Sequence, residues 1–143
     1  MTTKDYLNQI SRLNRMINNK LSEISQLREL ACSVSAIRNE EKVQTSPKAD
    51  SIGTAISKID EMERDIERTI DKYTKKKNLI ISQIEGMDDE LHYNVLFSRY
   101  IEKKTFEVIA TEMSYSFRNI TRIHGRALKE FERKYGDTYT NVS

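Results

Sequence analysis

Apolar residues recur near the start of the chain in steps of four and three: Tyr6, Ile10, Leu13, Ile17, Ile24, Leu27 and Ala31 fall on one helix face. This is the 3.5-residue repeat of a seam between helices. Lys20 stands in the gap of the series; either Leu21 takes over locally or the lysine carries its charged tip past the seam. The pattern predicts a helix over residues 3–34. It fails across residues 35–50, where Thr45, Ser46, Pro47 and Asp50 favour turns and helix starts, and a loop is expected there. A second series, Ile52, Ile56, Ile59, Ile66, Ile70, Tyr73, Ile80 and Ile84, is interrupted by Glu63 and Lys77 and predicts a helix over residues 51–85.

Each long helix carries a narrow apolar stripe that water does not tolerate, so an antiparallel coiled-coil hairpin is expected. The stripes can meet each other or those of a second copy, and homo-oligomers through the N-terminal helices stay open. Gly86 breaks the second helix, and the carboxylates of Asp88 and Asp89 suit the N-terminus of a new one. Three shorter helices are predicted over residues 88–101, 105–113 and 117–135. The expected organisation is all-α: a helical hairpin over residues 1–86, a small domain over 87–135 with Tyr93, Leu96, Phe97 and Tyr100 in its core, and a polar tail over 136–143.

Composition narrows the function classes. With 37% hydrophobic residues, no Trp, four Gly and one Pro in 143 residues, the core must be thin and the helices long, which argues against an all-β fold. The lone Cys32 has no disulfide or metal-site partner and reads as a helix-packing residue in a reducing compartment. No apolar run of signal-peptide or membrane-span length is visible, so a cytoplasmic protein without a membrane partner is expected. Neither His92 nor His124 stands in a ligand cluster, His124 reads as a polar rim residue, and no metal or cofactor is expected. Acidic side chains sit opposite basic ones on helix faces, as Asp60 does with Arg64. No nucleophile, base and anion-binding loop converge, so an enzyme is not expected.

The net charge of +2 implies no partner by itself, but its distribution does. Residues 87–112 hold three basic and six acidic side chains, whereas residues 113–143 hold six basic and three acidic. The basic segment coincides with a helix-turn-helix pattern. Ile109 and Met113 point inward on its first helix, Ala110 is the small residue at the close approach, Tyr115 plugs the turn, and Ile120 and Ile123 point inward on the second. Thr105 and Ser116 are the N-caps, with Glu107 favouring the dipole of the first helix. Phe117, Arg118, Thr121, Arg122 and Gly125 then fall on the outer face, with Asn119 and Arg126 at its edges. Arginine pairs with guanine and asparagine with adenine, and the Phe117 ring and Thr121 methyl suit thymine. Lys129, Arg133 and Lys134 suit phosphates. The candidate DNA-binding residues are Ser116, Phe117, Arg118, Asn119, Thr121, Arg122, Arg126, Lys129 and Arg133, on a recognition helix over residues 117–134.

With these residues in place, residues 87–132, about a third of the chain, resemble region four of bacterial sigma factors. Arg99-Tyr100-Ile101, Thr105-Phe106-Glu107-Val108-Ile109-Ala110 and Ile123-His124-Gly125-Arg126-Ala127-Leu128 look like its successive helices. The whole chain is similar to small phage and prophage transcription regulators of Gram-positive bacteria. The resemblance implies binding to promoter-region double-stranded DNA and contact with RNA polymerase. Two positions differ from the pattern: Ser114 stands where a turn glycine is common, and Lys103-Lys104 replace a glycine-containing connection. Nothing resembles the sigma region that melts DNA, so a complete sigma factor is not implied. A phage DNA-packaging recognition subunit and a protein-interaction adaptor are the alternative readings.

Overall fold

The computed structural model describes the backbone of residues 1–40 and 47–140 and the side chains of residues 1–37 and 51–140. Among these residues the fold is all-helical. Two long helices, α1 (Thr3–Glu40) and α2 (Pro47–Glu85), precede α3 (Glu90–Leu96), a π-helical turn (Phe97–Ile101), α4 (Phe106–Met113), α5 (Phe117–Tyr135) and a 3₁₀ turn (Gly136–Thr138). Both long helices outrun their apolar series. α1 continues to Glu40 and α2 begins at Pro47, so helix occupies both ends of the loop expected over residues 35–50, whose residues 41–46 lie outside the described ones. Pro47 starts a helix because the first helical position needs no N–H donor.

The chain divides into two compact units. In the unit Arg15–Thr74, Ile24 and Ile59 are the buried apolar residues among those described, while Ile17, Leu27, Ile66, Ile70 and Tyr73 are half-buried. A pair of helices covers one side of each stripe and leaves its flanks wet. Lys20 fills its gap by reach: its amine lies 3.1 Å from Glu23, and Leu21 stays 50% exposed. Glu63, at the gap in α2, holds the Arg28 guanidinium at 2.9 Å. Cys32 does not pack between helices as expected; it is exposed, because its neighbour Ala31 takes the inward position.

The other unit joins Met1–Asn14 to Lys75–Ser143 and is therefore larger than the small domain expected over residues 87–135. Its buried residues come from both ends of the chain: Tyr6, Leu7 and Ile10 of α1, Ile80 and Ile84 of α2, Leu96, and Ala127, Phe131 and Tyr139. The Tyr6 ring stacks on Tyr139 with centroids 4.2 Å apart and lies 6.1 Å from Phe131. Its hydroxyl donates to Gln83 Oε1 at 2.5 Å, and the Thr3 and Tyr139 hydroxyls share a 2.7 Å hydrogen bond. The beginning of the expected tail is thus built into the fold: the 3₁₀ turn after α5 carries Tyr139, only 3% exposed, onto α1. Asn141, Val142 and Ser143 lie outside the described residues.

A further cluster of this unit seats α5. Val95 of α3, Ile109 and Ala110 of α4, and Ile120 and Ile123 of α5 are buried together, with Leu91, Phe106 and Met113 packed against them. Each such large side chain contributes ~1.5–3 kcal/mol on removal from water. The cluster contains the expected inward residues apart from Tyr115, which is 40% exposed and does not plug the turn. Leu96 and Tyr100 are buried as expected, whereas Tyr93 and Phe97 are half-buried, their rings tilted against each other at 5.6 Å.

Candidate nucleic-acid interface

The joint between α4 and α5 is closed by backbone and capping hydrogen bonds. Thr105 Oγ1 accepts the Val108 N–H at 3.3 Å and opens α4. α4 ends on Ser114, whose φ of 60° lies in the left-handed region. There the Ser114 N–H reaches Thr111 O at 3.3 Å and the Tyr115 N–H reaches Ala110 O at 2.9 Å, the paired bonds of a Schellman ending. Ser116 Oγ then accepts the Asn119 N–H at 3.1 Å and opens α5. The connection before α4 repeats the device: Lys103 has φ 59°, and the Lys104 N–H closes onto Ser98 O at 3.0 Å. Both positions that differ from glycine in the sequence pattern therefore adopt the conformation that glycine reaches without a Cβ penalty.

α5 is strongly two-sided. Ile120, Ile123, Ala127 and Phe131 are buried on one side, and Arg118, Arg122, Arg126, Lys129 and Arg133 are exposed on the other. At ~1.5 Å per residue this ridge extends about 22 Å. Arg133 pairs with Glu130 at 3.1 Å, but among the described residues no ion pair joins Arg118, Arg122, Arg126 or Lys129 to a carboxylate. Asp88, Asp89 and Glu130 share a cleft with Arg126, Lys129 and Arg133, and several acids are engaged by other groups. Glu112 and Glu102 lie 2.8 and 3.3 Å from the Lys104 amine, and Asp89 caps α3 by accepting the Leu91 and His92 N–H groups. Those N–H donors, with the nearby His92 ring, hold the Asp89 carboxyl below its ordinary range.

The predicted site residues are brought to this surface to different degrees. Phe117 is 49% exposed, with its ring edge-on to Phe106 at 6.4 Å. Asn119 and Thr121 are half-buried at the flanks, and the Thr121 hydroxyl donates to Arg118 O at 2.9 Å, so its methyl is the group left to present. Lys134, expected to face phosphate, is exposed but engaged within the chain: its amine is held by Gly86 O and lies 3.2 Å from Asp88. Val108 and Tyr115, which the pattern did not place on the outer surface, are 42% and 40% exposed.

Behind the ridge lies a polar contact that the sequence reading missed. His124, expected at the rim, is 7% exposed, with Nε2 2.8 Å from Tyr100 Oη and its ring 4.8 Å from Phe106. Its spacing in the series Ile120, His124, Ala127, Phe131, in steps of four, three and four, is the signal that marks it as inward. Burial, and then the charges of Arg99 and Lys4, push its pKa down to about 4. Burial also pushes the Tyr100 phenol up to about 12, against the opposing charge of Arg99. The phenol therefore stays protonated and shares its hydrogen bond with a neutral imidazole. The Arg99 guanidinium sits 4.1 Å over the Phe106 ring and donates to Lys104 O at 3.1 Å, fastening the connection into α4.

The result is a helix whose outer side carries Arg118, Arg122, Arg126 and Lys129 exposed and without an ion pair among the described residues. Among the described residues no group of three or more His, Cys, Asp or Glu could hold a metal ion, and no helix is long and apolar enough to cross a membrane. Comparison with protein families, with curated proteins and with solved structures finds no match to the chain.

Proposed function

We propose that this protein is a sequence-specific regulator of transcription that binds double-stranded DNA by laying α5 in a major groove. In this reading α4, its turn and α5 form a helix-turn-helix of the kind seen in region four of sigma factors. The long helices form a coiled-coil hairpin available to RNA polymerase or to a second copy. One observation carries it: Arg118, Arg122, Arg126 and Lys129 are exposed together on α5, opposite its buried side, with no carboxylate partner among the described residues. A major groove ~12 Å wide and ~8.5 Å deep admits such a helix. Phe117, Arg118, Asn119, Thr121 and Arg122 then meet base edges, while Arg126, Lys129 and Arg133 meet phosphates.

Selection of binding sites from random duplex DNA tests the proposal. Arg118→Ala/Arg122→Ala should lose discrimination at the selected positions, at ~1–3 kcal/mol for each base contact removed. Lys129→Ala should weaken binding alike for all sequences and lower the salt slope by about one. A double variant that retains full affinity and discrimination refutes the reading face. Wild-type protein that binds no duplex even at low salt, where phosphate contacts are strongest, refutes DNA binding.

A further inference from the structure

The ridge on α5 contains a dent that the free protein does not explain. Of the four glycines, two have a steric reason in the fold. A Cβ on Gly86 would collide with the Tyr135 hydroxyl, and one on Gly136 would lie 3.2 Å from Glu132 Cγ. Gly125 has no such reason: it is an exposed residue within the 19-residue α5, its backbone is right-handed like that of its neighbours, and a Cβ there would meet nothing within 4 Å. Gly53 is equally unobstructed, but it is half-buried early in α2 and no exposed Lys or Arg among the described residues lies within four positions of it. A glycine inside an exposed helix is less favourable than alanine because more backbone freedom is lost on folding. Its place is distinctive too. Arg122 stands three residues before it, Arg126 directly after it and Lys129 four residues after it, so bare backbone is framed by three exposed cations.

We infer that Gly125 is a point of closest approach, where one strand of the DNA sugar–phosphate backbone seats directly against α5 between Arg122, Arg126 and Lys129. The inference rests on the DNA-binding reading and deepens it. Gly125 follows Phe117 by eight residues, which places it about 12 Å along the helix. With the helix start at the floor of a groove ~8.5 Å deep and the helix inclined out of it, that distance carries Gly125 towards the phosphates at the rim. There a missing Cβ lets a phosphate oxygen approach the helix while the flanking guanidinium and ammonium groups neutralise it. A methyl group at the same place holds the strand away from all three cations together.

The test sets stability against affinity in Gly125→Ala. With nothing to meet the new methyl, the variant should melt about 2–4 °C higher than wild type. Its affinity for a site selected by the wild-type protein should nevertheless fall roughly tenfold or more. Gly125→Leu should bind more weakly still. Wild-type binding with undiminished affinity in Gly125→Ala overturns this inference and leaves the DNA-binding reading in place. A destabilised Gly125→Ala also overturns it, since the glycine would then have a reason inside the fold. A wild-type protein that binds no duplex at low salt overturns both.

Discussion

The burial of His124 behind α5 makes the stability of this protein depend on pH in a defined window. The perturbation is His124→Gln, which keeps an amide able to hydrogen-bond the Tyr100 hydroxyl in either direction and removes the titrating ring. In the folded chain burial, and then Arg99 and Lys4, lower the His124 pKa to about 4, against an ordinary value of 6.5. The unfolded chain therefore binds a proton at this residue over a range in which the folded chain does not. Stability is fully present above about pH 7 and is lost as pH falls through 6.5 towards 4, because protonation then favours the unfolded state. At ~1.4 kcal/mol per unit, a difference of this size amounts to roughly 3 kcal/mol at the acid end. Urea denaturation followed by circular dichroism at a series of pH values measures it in both chains. Carboxylates common to the two chains, Asp89 included, cancel in the difference. At neutral pH the variant should be the less stable, having lost the ring contact with Phe106 at 4.8 Å. Its deficit should shrink by about 3 kcal/mol between pH 7 and pH 4. Parallel profiles for wild type and variant across that range would refute the assignment of a neutral, buried His124.

Two further predictions concern the turn and the chain terminus. Ser114→Gly should stabilise the protein by about 0.5–1 kcal/mol, because glycine takes the left-handed conformation at the end of α4 without a Cβ penalty; a lower denaturation midpoint would contradict the role given to that turn. Tyr139→Ala should cost about 3–5 kcal/mol by emptying the space against Tyr6 and Phe131, and Tyr139→Phe only about 1 kcal/mol through loss of the bond to Thr3. Chemical denaturation separates these cases, and a Tyr139→Ala chain as stable as wild type would show that the segment after α5 is dispensable.

The shapes of the helices and the two sides of α5 were legible without tertiary information. Seven- and four-residue spacings located α1 and α2, Thr105 and Ser116 marked two helix starts by chemistry local to each turn, and Ile120 with Ile123 showed which side of α5 faces inward. The cations at positions 118, 122, 126, 129 and 133 then had to lie outward, since residues three and four apart share a face. Tertiary structure decided what covers the flanks of each stripe. His124 is buried because Tyr100 and Phe106 close over it, Tyr115 is exposed because the left-handed Ser114 ends α4 before it, and Tyr139 is buried because Tyr6 and Thr3 lie under it. Helical periodicity reports the direction in which a side chain leaves its own helix. Whether that direction ends in water or against another ring depends on partners up to 136 residues away in the chain, and no local pattern contains them.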